Sequence, residues 1–254
     1  VYKRQGVDGE GEVADLARTF NKMADNIQSN DNSRGQFMGN IAHELRTPMT
    51  TIKGFIDGIL DGTIPPDMQN HYLQLVSEET GRLARLIQNM LDLSKLESGE
   101  YQVNARMFNI WETLTGVALS AEQRINDGMI DIDGLTMDEK VLVYADPDLI
   151  HQVAYNLLDN AIKYSAPGGR ITVKLWAGEY KAFIELIDQG RGIPPEDLEN
   201  VKTKFYKGSN SVRGSGIGLA LVDSIMTALD GTMDIKSTLG RGTVVTLGLP
   251  LYKK

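Results

Sequence analysis

The chain has 254 residues, 41% of them apolar and 24% charged, with a formal net charge of −8; it is long enough for one large domain or two ordinary ones. The acidic balance argues against a nucleic-acid binder, which needs clustered Lys and Arg, and the absence of cysteine excludes disulfides, thiolate metal sites and cysteine nucleophiles. No apolar run approaches a membrane span and no signal peptide is visible, while the start at Val1 rather than Met leads us to expect a fragment of a longer protein.

Val13, Leu16, Phe20, Met23 and Ile27 step by 3, 4, 3 and 4 residues, a pattern that predicts a short amphipathic helix with coiled-coil spacing. "QSNDNSRG" (28–35) reads as a junction. A long helix is then predicted from about Ser33 to Leu60. It ends at "DGTIPPD" (61–67) and is followed by a second helix from about Met68 to Glu97. That second helix places Tyr72, Leu75, Val76, Leu83, Leu86, Met90 and Leu93 on one face. Two long helices with one apolar stripe each bury those stripes best by pairing with a second copy, so a four-helix bundle in a homodimer is expected.

From about Tyr101 the pattern changes. "VLVYA" (141–145), "RITVKLWA" (170–177), "KAFIELID" (181–188), "TMDIKST" (232–238) and "GTVVTLGLP" (242–250) read as strands. Helices are predicted between them at about 110–127, 147–164 and 216–229. Strands mixed with helices and antiparallel hairpins predict an α+β sandwich, with a hinge near 98–105.

Several clusters in this framework carry chemistry. His43 lies roughly 160° from the centre of the apolar stripe of its helix and so faces solvent. Glu44 follows it and Thr47 sits one turn on. Pro48 interrupts the pattern: Thr47 and Pro48 could start a new helix as cap and first residue, but the stripe continues through them, which favours one kinked helix. In "DPDLIHQVAYNLLDNAIKYS" (146–165), Asp146 and Pro147 make a helix start. Ile150, Val153, Leu157 and Ala161 form its apolar side, and Asn156, Asn160 and Lys163 share another face. Amide oxygens suit Mg²⁺ and an ammonium suits phosphate; His151 is off that face and is expected to pack. "DQGRGIP" (188–194) reads as a glycine turn after a strand. "RGSGIGLALVDSIMTAL" (213–229) puts Gly214, Gly216 and Gly218 at the mouth of a helix, where backbone N–H groups can cradle an anion. Leu219 stands where a dinucleotide fingerprint needs a small residue, and no strand directly precedes the motif, which argues against that fold.

"IAHELRTPMTTIKGF" (41–55) resembles the phosphoacceptor motif of the sensor histidine kinases of two-component signalling. The resemblance implies that His43 is the phosphorylated residue, that Glu44 is the base or orienting group, and that Thr47 helps place a water for dephosphorylating a partner regulator. The later clusters resemble, in order, the boxes of the same family's ATP-binding domain. By that resemblance Asn160 and Asn156 hold Mg²⁺, Asn156 and Lys163 reach the phosphates, and Tyr164 lies along the nucleotide. Asp188 accepts from the adenine amino group, and Gly190 and Gly192 let the backbone approach the base. Gly214, Gly216 and Gly218 form the second glycine box, after a lid at about 202–213. "KFYKGSNS" (204–211) resembles the phenylalanine box through Phe205 and Lys207, and Thr243 lies near the nucleotide. "GEVADLARTFNKMADNI" (11–27) is similar to the second half of the HAMP linker.

The expected architecture is therefore multidomain: a partial HAMP-like linker at 1–32, an all-α dimerisation and phosphotransfer hairpin at 33–100, and at 101–254 an α+β sandwich of the histidine-kinase/gyrase/chaperone type. The expected cofactors are ATP and Mg²⁺. The expected partners are a second copy and a response-regulator receiver domain, with no nucleic acid, and the fragment is expected to be the cytoplasmic part of a membrane-anchored bacterial protein. Gyrase- and chaperone-type ATPases carry a glutamate where Asn156 stands and lack the His43 helix. A scaffold with degenerate boxes would have lost Asn160, Asp188 or a glycine of the second box, and none is lost.

Overall fold

The computed structural model describes residue 35 and residues 38–135, 140–208 and 214–251; the HAMP-like reading of 1–32 lies outside them. The chain divides into two compact units, Val1–Ala84 and Arg85–Lys254.

In the first unit α1 is helical throughout 38–60, across Pro48, and Pro48 itself is buried. This excludes the alternative of a new helix beginning there. The turn after α1 is held locally. Asp61 accepts from Thr63 N at 2.9 Å through Oδ1, Ile64 N donates to Gly58 O at 2.8 Å, and Gly62 takes φ +79, a backbone state that glycine reaches without steric cost. Ile64 packs so closely on Gly58 that a Cβ there would lie 3.1 Å from its side chain. Helix α2, Gln69–Ser98, then begins, and Phe55 meets Tyr72 edge to face at 5.1 Å between ring centroids. Met49, Ile56, Leu60 and Leu73 remain exposed.

The second unit starts inside α2, whose Leu86, Met90 and Leu93 are buried. It continues with β1 (Arg106–Asn109), α3 (Ile110–Ser120), α4 (Glu122–Asp127), β2 (Asp131–Asp133), β3 (Leu142–Ala145), α5 (Pro147–Tyr164), β4 (Arg170–Ala177), β5 (Lys181–Asp188), α6 (Pro195–Leu198), α7 (Gly218–Ala228), β6 (Thr232–Thr238) and β7 (Gly242–Pro250). The helix expected over 110–127 is two helices that part at Ala121, whose N–H turns back to Ala118 O at 3.1 Å. β1 pairs antiparallel with β3, and a five-stranded sheet runs β2-β4-β5-β7-β6, antiparallel except for β2 beside β4. α5 packs against α3, α7 and β5, and α7 against β6, which makes the helices one layer and the sheet the other.

Strand alternation builds the core in rows. Leu175, Ile184 and Leu247 stand side by side, then Val173, Leu186 and Val245. The next row in the same direction is Ile171, Asp188, Thr243 and Ser237. Polar groups replace aliphatic ones there, and that row opens the site. α5 lies over it, started by Asp146, which accepts from Asp148 N and Leu149 N and has Pro147 at the first position.

Candidate active site

His43 is exposed on α1, its side chain 75% accessible, and its Nδ1 lies 3.6 Å from Glu44 Oε1. Thr47 Oγ1 donates to His43 O at 3.4 Å. Pro48, one turn further on, has no N–H to give to the ladder of α1. The imidazole is therefore presented to solvent with a carboxylate beside it, as the face arithmetic predicts.

In the second unit the polar row is anchored on Asp188. Its Oδ1 accepts from Gly190 N at 2.8 Å and Thr243 N at 3.2 Å, so Oδ2 is the oxygen left for a ligand donor. Burial pushes the Asp188 carboxyl above the usual range, and the two N–H donors partly offset it. Gly242 takes φ +105 and a Cβ there would sit 1.9 Å from Asp188 O, so only glycine lets β7 pass this close.

The asparagine face of α5 meets the start of α7. A Cβ on Gly218 would lie 3.1 Å from Asn156 Oδ1 and 3.8 Å from Asn160 Nδ2. Asn156 is buried, and its Nδ2 donates to Gln152 O at 2.8 Å, which turns Oδ1 toward α7. The N-terminus of α7 has no side-chain cap, which leaves backbone donors and the positive end of the helix dipole for an anion. Two amides beside this positive end suit a cation that brings its own phosphate oxygens. Among the described residues no group of three or more His, Cys, Asp or Glu could hold a metal alone.

Lys163 Nζ donates to the Tyr164 hydroxyl at 3.0 Å. Gly190 lies so close to Tyr164 that a Cβ would come within 2.6 Å of its carbonyl oxygen. Gly192 instead abuts Thr238 O, its ideal Cβ 2.1 Å away at φ +70. Phe205 takes φ +61, rare outside glycine and a mark of functional loops. Its N–H donates to Gly216 O at 2.9 Å, and Gly216, φ +70, has no room for a Cβ against the Phe205 backbone. Lys207 is exposed and Gly214 half-buried. Asn156, Asn160 and Gly218 thus form one cluster, Asp188, Gly190, Thr243 and Tyr164 a second beside it, and Phe205 with Gly216 a third. His151 is exposed on α5; the packing role expected for it is wrong, because the helix turns that position away from the sheet.

Two supports were invisible in the sequence. Ser237 Oγ accepts from Ile193 N at 2.8 Å, contacts Gly242 O at 2.8 Å and lies 3.0 Å from Thr243 Oγ1. Buried Asp197 accepts from the Tyr206 hydroxyl at 2.6 Å and so ties α6 to the segment beside Phe205. An inward-facing serine in an otherwise apolar strand alternation was the only signal available for the first; nothing flagged the second.

Residues 33–99 match the family described as His Kinase A (phospho-acceptor) domain. Residues 145–253 match Histidine kinase-, DNA gyrase B-, and HSP90-like ATPase. The chain is 34% identical over 259 residues to Sensor histidine kinase YclK of Bacillus subtilis (strain 168), covering 96% of this chain and 54% of that protein. It is 33% identical to Sensor histidine kinase WalK of the same organism, covering 88% of this chain and 38% of that one. A solved structure of Acinetobacter baumannii histidine kinase AdeS aligns with TM-score 0.68 at 26% identity, over 83% of this chain and 98% of that one. The chain belongs to the sensor histidine kinases of two-component signalling. It spans about half or less of the length of these curated relatives, and among the described residues no helix is long and apolar enough to cross a membrane.

Proposed function

We propose that the chain is the kinase core of a sensor histidine kinase that transfers the γ-phosphoryl group of Mg-ATP to His43 and then to an aspartate of a response-regulator receiver domain. The observation that carries this reading is His43, solvent-facing beside Glu44, in one chain with the Asp188–Thr243 row and the uncapped start of α7. Asp188 Oδ2 accepts from the adenine amino group, with Gly190 and Gly192 keeping the backbone close to the base and Tyr164 and Thr243 lining it. Lys163, Asn156 and the N–H groups after Gly214, Gly216 and Gly218 face the phosphates, and Phe205 and Lys207 belong to the lid. Asn160 and Asn156 would hold Mg²⁺, whose charge offsets that building on the phosphate oxygens.

With Nδ1 facing Glu44, Nε2 is the attacking nitrogen. Its lone pair forms the N–P bond, the bond from the γ-phosphorus to the bridging oxygen breaks, and ADP leaves with that electron pair. Glu44 stabilises the imidazolium and takes the Nδ1 proton. An aspartate oxygen of the receiver then attacks the phosphorus, the N–P electrons return to Nε2, and the proton held by Glu44 returns to Nδ1, which restores neutral His43.

The exposed Met49, Ile56, Leu60 and Leu73 support a homodimer, in which a second copy covers them in a four-helix bundle. A division into 1–32, 33–100 and 101–254, a hinge near 98–105 and a membrane-anchored parent belong to the same proposal. Movement at that hinge breaks Lys204–Glu97 and Gln152–Asp92. Thr47, one turn from His43, supports regulator dephosphorylation as a second activity of the same helix. Wild type incubated with Mg²⁺ and γ-labelled ATP should take up acid-labile label while α-labelled ATP leaves none; equal uptake of both labels would overturn phosphoryl transfer.

A further inference from the structure

Tyr164 is the last residue of α5, and two cations lie near its ring. Arg191 Cζ is 4.7 Å from the ring centroid and Lys163 Nζ 4.5 Å. The main chain repeats the first contact. Arg191 N donates to Tyr164 O at 3.4 Å, and Gly240 N donates to Arg191 O at 2.6 Å. Gly190 and Gly192, on either side of Arg191, are wedged against Tyr164 O and Thr238 O with no room for a Cβ. Arg191 is thus held at both its backbone groups, and its exposed side chain lies back over an aromatic face instead of extending into water. Ordering a long side chain in this way costs rotamer entropy, which the guanidinium–ring attraction offsets.

We propose that Arg191 is a positioning residue for nucleotide binding: its guanidinium, stacked on Tyr164, fixes that ring as a wall of the adenine site beside Asp188. This rests on the nucleotide-site reading above and adds a residue that none of the motifs singles out, the position between the two glycines of "DQGRGIP". The mechanism is preorganisation. A side chain at a helix end has few neighbours to hold its χ1, and a base that meets a ring already in place spends none of its binding energy on ordering it. Because the wall serves the base, the effect is the same for adenosine, ADP and ATP.

The test compares wild type with Arg191→Gln, Arg191→Lys, Tyr164→Leu, the Arg191→Gln/Tyr164→Leu double variant and Asp188→Asn. Binding of adenosine, ADP and a non-hydrolysable ATP analogue with Mg²⁺ is measured alongside autophosphorylation kinetics. Arg191→Gln should weaken all three ligands equally, by about three- to fivefold. In turnover the loss should fall on KM, with kcat changed by less than roughly twofold. Arg191→Lys should recover most of it by keeping a cation over the ring, and Arg191→Gln should add nothing in the Tyr164→Leu background. Additive losses, or a loss confined to ATP and ADP, would overturn the clamp, the latter by making Arg191 a phosphate contact. If Asp188→Asn loses binding while the Arg191 variants bind as wild type, the clamp alone fails. If Asp188→Asn binds all three ligands as wild type does, the site reading fails and takes the clamp with it.

Discussion

The side-chain oxygen of Asn156 points at the backbone of Gly218, so that a Cβ on the glycine would stand 3.1 Å from it. The asparagine face of α5 and the first turn of α7 therefore share one small space, and the glycine keeps it open. Gly218 opens α7, outside the helix interior, and a Cβ there presses on Asn156 Oδ1. Gly218→Ala should reduce affinity for Mg-nucleotide by roughly tenfold, equivalent to about 1.4 kcal/mol, more than it changes the stability of the fold. Calorimetric titration beside thermal melting separates the two effects. A variant that binds as wild type would remove the asparagine face from the phosphate site.

Asp188 shows a conflict between stability and binding. Its carboxyl is raised by burial, so the folded state prefers the protonated form. The stability tied to that proton is fully present below the ordinary aspartate value and is lost as pH rises through the raised one. Asp188→Asn should therefore melt higher than wild type at pH 7, and the gap should close as pH falls into the normal carboxylate range. Nucleotide affinity should move oppositely. The variant binds weakly at pH 7, and wild-type affinity drops on acidification before ordinary carboxylates titrate. A variant that melts lower at pH 7 would contradict the burial argument.

Leu93 is fully buried within the second unit, although it lies on a helix that begins in the first. Leu93→Ala should cost about 2–5 kcal/mol and lower the melting temperature by about 2–4 °C per kcal/mol for a domain of this size. Circular dichroism of the whole chain checks this, and an unchanged midpoint would show that the last turns of α2 do not fold with the sheet unit.

The longer strands could be read from sequence nearly to the residue, because β-branched runs such as "RITVKLWA" sit between glycine-rich turns. β2, Asp131–Asp133, could not: an Asp-Ile-Asp segment has little strand propensity and exists because it pairs with Arg170–Thr172. The parting of α3 from α4 at Ala121 was hidden because the apolar pattern runs through it. The clusters formed by the glycine turns and by one face of α5 were legible, since their spacing is local. Ser237 was not, because its partners Ile193 and Gly242 meet it only through the β6–β7 register and the loop after β5. His151 was misplaced for a related reason: its place off the asparagine face suggested packing, and only the packing of α5 on its neighbours decides which side is covered.

Pro48 sits inside an unbroken helix and is buried, so its cost is not that of a helix end. Pro48 supplies no N–H to the helical ladder one turn after His43. We expect Pro48→Ala to stabilise α1 and to shift the ratio of autophosphorylation to regulator dephosphorylation, because a straighter helix resists tilting of the bundle halves. Unchanged rates of both activities would remove the hinge role.

The most direct test of the account is labelling by γ-labelled ATP with Mg²⁺ in wild type and His43→Gln, side by side. The account predicts acid-labile, base-stable label on wild type and none on the variant, with nucleotide affinity equal in the two. Label retained on His43→Gln, or absent from a wild type that binds ATP, would contradict it.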